Sequence, residues 1–285
     1  LRQLPAESIE KVEVITSPSA RYEASGTAGI LNIILKKQNL EGFNGSLALN
    51  SGFPRALGSN LNINFRKNKL NFFSTISLND AKSLGGGVFD SEYFNGVNPS
   101  TFTYEDRDYD RVRKRVFLNL GMEYYFNDET SFTISGFTRN SDNLSNNSTI
   151  IQDLNQNKEI LNEFGRYQDE EEDDISSQLT LNFTKKFNKK GHELVIEFQT
   201  EESTEDESDY ASNTNTFDQS SMTDETQQRK LLQIDYVYPI DKNTQFELGY
   251  RGNFSDLNTD YNVLDIRGNE TIRNLNLSNI FIFNQ

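Results

Sequence analysis

From about Leu40 to its end the chain places an apolar residue at every second position, run after run. The runs are Leu61/Ile63/Phe65, Val116/Leu118/Leu120/Met122/Tyr124/Phe126, Ile175/Leu179/Leu181/Phe183, Leu194/Ile196/Phe198, Leu232/Ile234/Tyr236/Tyr238 and Phe246/Leu248/Tyr250. Between them stand Asn, Ser, Thr, Gln, Glu, Gly and Arg, such as Asn62, Asn64, Glu247, Gly249 and Arg251. A period of two marks strands with one apolar and one polar face, and helical periodicity is nearly absent. Each run is on the order of 10 residues, the length with which a tilted strand crosses a hydrocarbon layer. The expectation is an all-β, antiparallel array of about ten strands.

The connections alternate in length. Short turns fall at 66–69, 127–130, 188–191 and 241–244, and long polar segments near 81–110, 141–172, 203–225 and 256–272 read as loops. The connection at 52–58 is the short exception on the long side. Short turns at one end and long loops at the other are the plan of a transmembrane β-barrel. Aromatic residues crowd the short turns: Phe65, Phe72, Tyr124, Tyr125, Phe126, Phe132, Phe183, Phe187, Tyr236, Tyr238 and Phe246. Strand propensity alone would scatter them, so a girdle at a membrane interface is expected.

Residues 1–37 have another character. Ile9-Glu10-Lys11-Val12-Glu13-Val14-Ile15 reads as a strand, and Ile30-Leu31-Asn32-Ile33-Ile34-Leu35 as a second, largely buried one. Between them, Ser17 and Pro18 suit the N-cap and first position of a short helical turn, and Gly26 and Gly29 punctuate a tight loop. Leu1 is not Met and the closing residues 280–285 look like a strand in progress, so the sequence is expected to be cut at both ends.

Composition narrows the function. With 43 acidic against 28 basic side chains and a net charge of -15, a nucleic-acid partner is not expected. There is no cysteine, hence no disulfide, zinc-thiolate site or thiol nucleophile. No stretch approaches the roughly 20 apolar residues of a membrane helix, and the mean hydropathy of -0.70 leaves a barrel open, since alternation keeps the average low.

The order Glu10-Lys11-Val12-Glu13-Val14-Ile15-Thr16-Ser17-Pro18-Ser19-Ala20-Arg21-Tyr22, followed by Gly26-Thr27-Ala28-Gly29-Ile30-Leu31-Asn32-Ile33-Ile34-Leu35-Lys36-Lys37, resembles the C-terminal end of the plug of TonB-dependent outer-membrane receptors. The Ser-Ala-Arg-Tyr and Gly-Thr-Ala-Gly variants resemble the outer-membrane β-barrel subgroup. The resemblance implies the end of a small mixed α/β plug over 1–37 and the N-terminal part of a transmembrane barrel over 38–285, out of about 22 strands in the whole wall. It implies energised import of a scarce solute, siderophore, glycan or peptide in class, across the outer membrane of a Gram-negative bacterium. The implied partners are the inner-membrane TonB complex, reached through a segment upstream of Leu1, outer-membrane lipid and lipopolysaccharide, and in some receptors a surface lipoprotein. Ser17, Pro18, Ala20, Arg21, Tyr22, Gly26 and Gly29 would shape the plug. Part of a barrel alone leaves unpaired strand edges in hydrocarbon and is expected neither to insert nor to transport. A passive porin-like barrel and a soluble surface-displayed β-rich adhesin or binding module are the other readings.

No enzymatic constellation, cofactor site or metal site is expected. The acidic runs 169–174 and 201–207 lack the glycine-punctuated spacing of a calcium loop and read as solvated charge. His192, the only histidine, reads as an interfacial polar residue. Gly85-Gly86-Gly87 is expected to give a loop flexibility, and Arg107, Arg111, Arg113 and Arg115 to pair with Asp106, Asp108 and Asp110 in preference to an anionic substrate.

Overall fold

The structure, a computed structural model, describes residues 9–15, 30–35, 41–94, 101–214, 218–241 and 244–285, the first two segments as backbone alone. The expected helical turn and the seven plug-shaping residues, Ser17 to Gly29, lie outside the described residues. Strands β1 (Ile9–Ile15) and β2 (Ile30–Leu35) pair antiparallel as a sheet of their own. They occupy the positions read from the sequence.

The rest is one antiparallel sheet of 11 strands. In chain order these are β3 (Gly42–Gly52), β4 (Ala56–Lys67), β5 (Leu70–Tyr93), β6 (Thr101–Asn127), β7 (Thr130–Leu154), β8 (Ile160–Lys186), β9 (Glu193–Asn213), β10 (Asp218–Pro239), β11 (Gln245–Arg267), β12 (Glu270–Arg273) and β13 (Asn279–Asn284). Each strand from β3 to β11 pairs with the next, and β13 returns to the same free edge of β11 beside β12. The sheet is open between β3 and the β12–β13 edge.

Register puts every apolar run on one face. One row passes through Leu70, Tyr124, Phe132, Phe183, Ile196, Ile234 and Tyr250, and another through Phe43, Phe65, Phe72 and Met122. The other face carries Asn44, Asn62, Thr75, Asn119, Thr133, Asn182, Glu197, Asp235 and Gly249 in the same strands. Its side chains bond across strands: Asn60 Nδ2 donates to Ser77 Oγ at 2.5 Å, Thr75 Oγ1 to Asn62 Oδ1 at 2.8 Å, and Asn64 Nδ2 to Asn71 Oδ1 at 2.9 Å.

Burial is inverted relative to a protein folded around an oily centre. Ala211, Val237, Val263, Ser141, Ser145, Ser176, Asp235 and Asp265 are buried, and all eight lie on the polar face. Side chains crowd on the inside of a curved sheet and spread on the outside, so the sheet coils toward its polar face. Leu248 on the apolar face is 61% exposed and Leu120 54%. Leu118 and Leu181 are half-buried.

The apolar band also runs obliquely. The row Leu61, Ile76, Leu118 is apolar in β4–β6, yet the same row continues as Thr138, Ser177, Glu202, Gln228 and Asp256 in β7–β11. A level band crossed by tilted strands produces this offset.

Strand length corrects one expectation. Strands β5 to β8 run 24, 27, 25 and 27 residues, and β9 to β11 run 21, 22 and 23. The polar segments read as loops are the far halves of these strands, and their connections are short, as at residues 155–159. The error has a physical source: a strand with water on both faces needs no apolar alternation, because its backbone ladder and cross-strand polar pairs suffice. The Gly85-Gly86-Gly87 run likewise sits within β5, with Gly85 opposite Tyr109, and does not form a loop. The short turns lie where expected; that between β4 and β5 is closed by Asn68 at φ 53°.

Candidate functional site

Three features of the sheet carry chemistry. At the short-turn end the apolar face carries aromatics and lysines together. Phe187 stacks on His192 with ring centroids 4.0 Å apart, and Tyr236 and Tyr238 meet the imidazole edge-on at 5.3 and 5.1 Å. His192 Nε2 and Tyr236 Oη are 2.9 Å apart. Lys189 Nζ lies 5.1 Å from the Tyr238 ring and donates to Ile240 O at 2.9 Å, and Lys185 Nζ lies 5.5 Å from the Phe187 ring. His192 is therefore the hub of a ring cluster. Tyr125 departs from the expected girdle: it faces the polar side, 4.6 Å under the Arg66 guanidinium, because it is out of phase with Tyr124 and Phe126.

The second feature is a ladder of carboxylates on the polar face of the extended halves. Glu170 stands opposite Asp209, Glu172 opposite Glu207, and Asp174 opposite Glu205, which in turn faces Glu225. Burial raises the Glu205 and Glu207 carboxyls above their ordinary range, and the neighbouring carboxylates, Glu172 and Glu225 for the first, Glu170 and Glu172 for the second, push the same way. Burial also raises Asp209, against a hydrogen bond from Gln168. Arg139 Nη2 reaches Asp174 Oδ2 at 2.9 Å from β7. Alternation sends Asp169, Glu171 and Asp173 of the same run to the other face. Among the described residues, no three acidic or histidine side chains are grouped to hold a metal ion.

The third feature is an arginine stripe on the polar face of β6. Arg107, Arg111, Arg113 and Arg115 share that face, while Asp106, Asp108 and Asp110 point to the other. The expected pairing with those aspartates is thus corrected, because successive side chains of a strand cannot meet. Asp110 pairs instead with Lys82 at 2.6 Å, and Arg107 with Glu105 on its own face. The Arg111 guanidinium lies 4.4 Å from the Tyr109 ring and its Nε donates to Ser145 Oγ at 3.3 Å; Arg113 Nε donates to Asn143 Oδ1 at 3.0 Å. The sequence carried the signal in its Arg-x-Arg-x-Arg spacing.

Among the described residues, no helix is long and apolar enough to cross a membrane. An open dent of about 450 Å³ indents the apolar face at Ser74 and Gly136, rimmed by Phe72, Leu120, Met122 and Ile134.

Residues 185–285, from the end of β8 through β13, match the family model described as Outer membrane protein beta-barrel family. The protein is located in the outer membrane of a Gram-negative bacterium. No solved structure matches the chain. In outer-membrane barrels the short turns are periplasmic and the long side is extracellular; the aromatic–lysine cluster here lies at the short-turn end of the sheet, and the carboxylate and arginine rows lie on the polar face of its far half.

Proposed function

We propose that this chain is the wall and the end of the plug of a TonB-dependent receptor that imports a scarce solute by energised plug remodelling. The observation that carries the reading is a separate β1–β2 hairpin preceding a wide sheet that coils toward a polar, wet face. Ten strands side by side already exceed the small barrels whose own side chains fill the interior, so a closed wall of at least this width encloses a water-filled lumen unless another body occupies it. Residues 1–37, with their resemblance to the plug, supply a part of that body. The implied partners are the TonB complex on the periplasmic side and lipopolysaccharide on the outside.

A passive porin-like barrel is the competing reading, and conductance separates the two. The full-length protein in a planar bilayer is expected to show no steady large conductance, and deletion of 1–37 with all preceding residues is expected to open one. Uptake by cells should stop when the proton-motive force is dissipated. Steady conductance of the intact protein together with uptake indifferent to energy would make it a porin. A soluble adhesin has little support, since such a module buries the apolar face exposed here.

A further inference from the structure

We propose that Arg111, Arg113 and Arg115, with Tyr109 beside them, form a binding site on the lumen wall for a solute bearing carboxylate or phosphate groups. The proposal rests on the polar face being the lumen and is independent of energy coupling.

The three side chains are exposed, and among the described residues no carboxylate comes within ion-pair distance of any of them. In a chain of net charge -15 this is a placement the wall maintains against its own composition. Their cross-strand neighbours are small or neutral: Asn79, Ala81 and Ser83 on β5, and Ser141, Asn143 and Ser145 on β7. The guanidinium heads therefore stand along a trough with nothing tall on either side.

The heads are also oriented. Arg111 and Arg113 each spend Nε on a β7 side chain, and the Tyr109 ring, seated against the bare Gly85, supports Arg111. Their terminal nitrogens remain for a ligand, in the fork that matches a carboxylate or phosphate bidentately. Alternate residues of one face repeat at about 6.7 Å, so one solute with two or three anionic groups can span the stripe. Arg107, satisfied by Glu105, ends it. The carboxylate ladder two strands away on the same face repels an anion and confines it to β6.

The test is isothermal titration calorimetry on the full-length protein in detergent, with citrate and inorganic phosphate as probes and sucrose as neutral control. Citrate is expected to bind, more weakly as salt rises, and the R111Q/R113Q/R115Q variant to lose at least tenfold in affinity. The R111K/R113K/R115K variant should weaken both probes by less than the glutamine variant does, since lysine keeps the charge without the fork. Heat-modifiable gel mobility reports whether each variant is a folded barrel, and R113Q alone serves where the triple change does not fold. A folded wild type that binds neither probe, or glutamine variants that bind citrate as the wild type does, would overturn the proposal. Failure of the barrel reading would instead appear as absent heat-modifiability.

Discussion

Replacing Leu120 by arginine tests the inside-out arrangement most directly. The apolar run of β6 extends from Val116 to Phe126. Ten steps at about 3.4 Å span about 34 Å along the strand, and a tilt near 40° projects this to about 26 Å, the height of a barrel's hydrocarbon-facing band. Leu120 sits near the middle of that height. Its cross-strand neighbours on the apolar face are Ser74 and Gly136, so an arginine fits sterically and its cost is the cost of a charge in lipid. That cost is about 2–4 kcal/mol at the bilayer midplane, roughly 30- to 900-fold in the folding equilibrium. Phe126→Arg, at the band's edge, should cost about 0–1 kcal/mol, and Asn119→Arg, one residue away on the lumen face, close to nothing.

The assay is refolding of the full-length protein into phosphatidylcholine vesicles across a urea series, with the folded fraction read from heat-modifiable gel mobility. Two contrasts are measured at once, parity (120 against 119) and depth (120 against 126). A water-soluble sheet packed on another element would make the penalty follow side-chain burial, with no dependence on bilayer thickness. If Leu120→Arg and Asn119→Arg fall within about 1 kcal/mol of each other, the assignment of the two faces is wrong.

Two further outcomes follow from the extended halves. Because Glu205, Glu207 and Asp209 have raised pKa values in the folded sheet, their stabilising contribution is present below the ordinary carboxyl range and is lost as pH rises through the raised values. Amide exchange in the far half of β9, corrected for intrinsic rate, should therefore be slower at pH 4 than at pH 7, and E205Q/E207Q/D209N should slow it at pH 7 while matching the wild type at pH 4; equal protection at both pH values would refute the ladder's role. A Cβ at Gly86 would lie 2.4 Å from the backbone oxygen of Arg107, so Gly86→Val should cost about 1–3 kcal/mol and speed exchange in residues 84–110 while leaving the short-turn half of β5–β6 unchanged; unchanged exchange throughout would count against the β5–β6 register.

The two halves of each strand differ in how much of them could be read beforehand, and the difference has one cause. In the band, lipid on one side and water on the other force alternation, so Val116 to Phe126 declares both its strand and its faces. Above the band both faces are wet, alternation carries no penalty for error, and residues 101–115 or 160–174 look like loop while forming continuous strand. What holds them is the ladder itself with pairs such as Lys82–Asp110 and Lys114–Asp142. These depend on register, which a single strand does not reveal. The same gap hid the arginine stripe's role: neighbours in sequence suggested Asp106, Asp108 and Asp110 as partners, and only the strand's alternation removes them. Charges on an extended hairpin should therefore be assigned by parity first and proximity in sequence second. By that rule the acidic run 169–174 is two rows of three, Glu170, Glu172 and Asp174 on the polar face and Asp169, Glu171 and Asp173 on the other, and a solute meeting one face of the sheet meets only one of them.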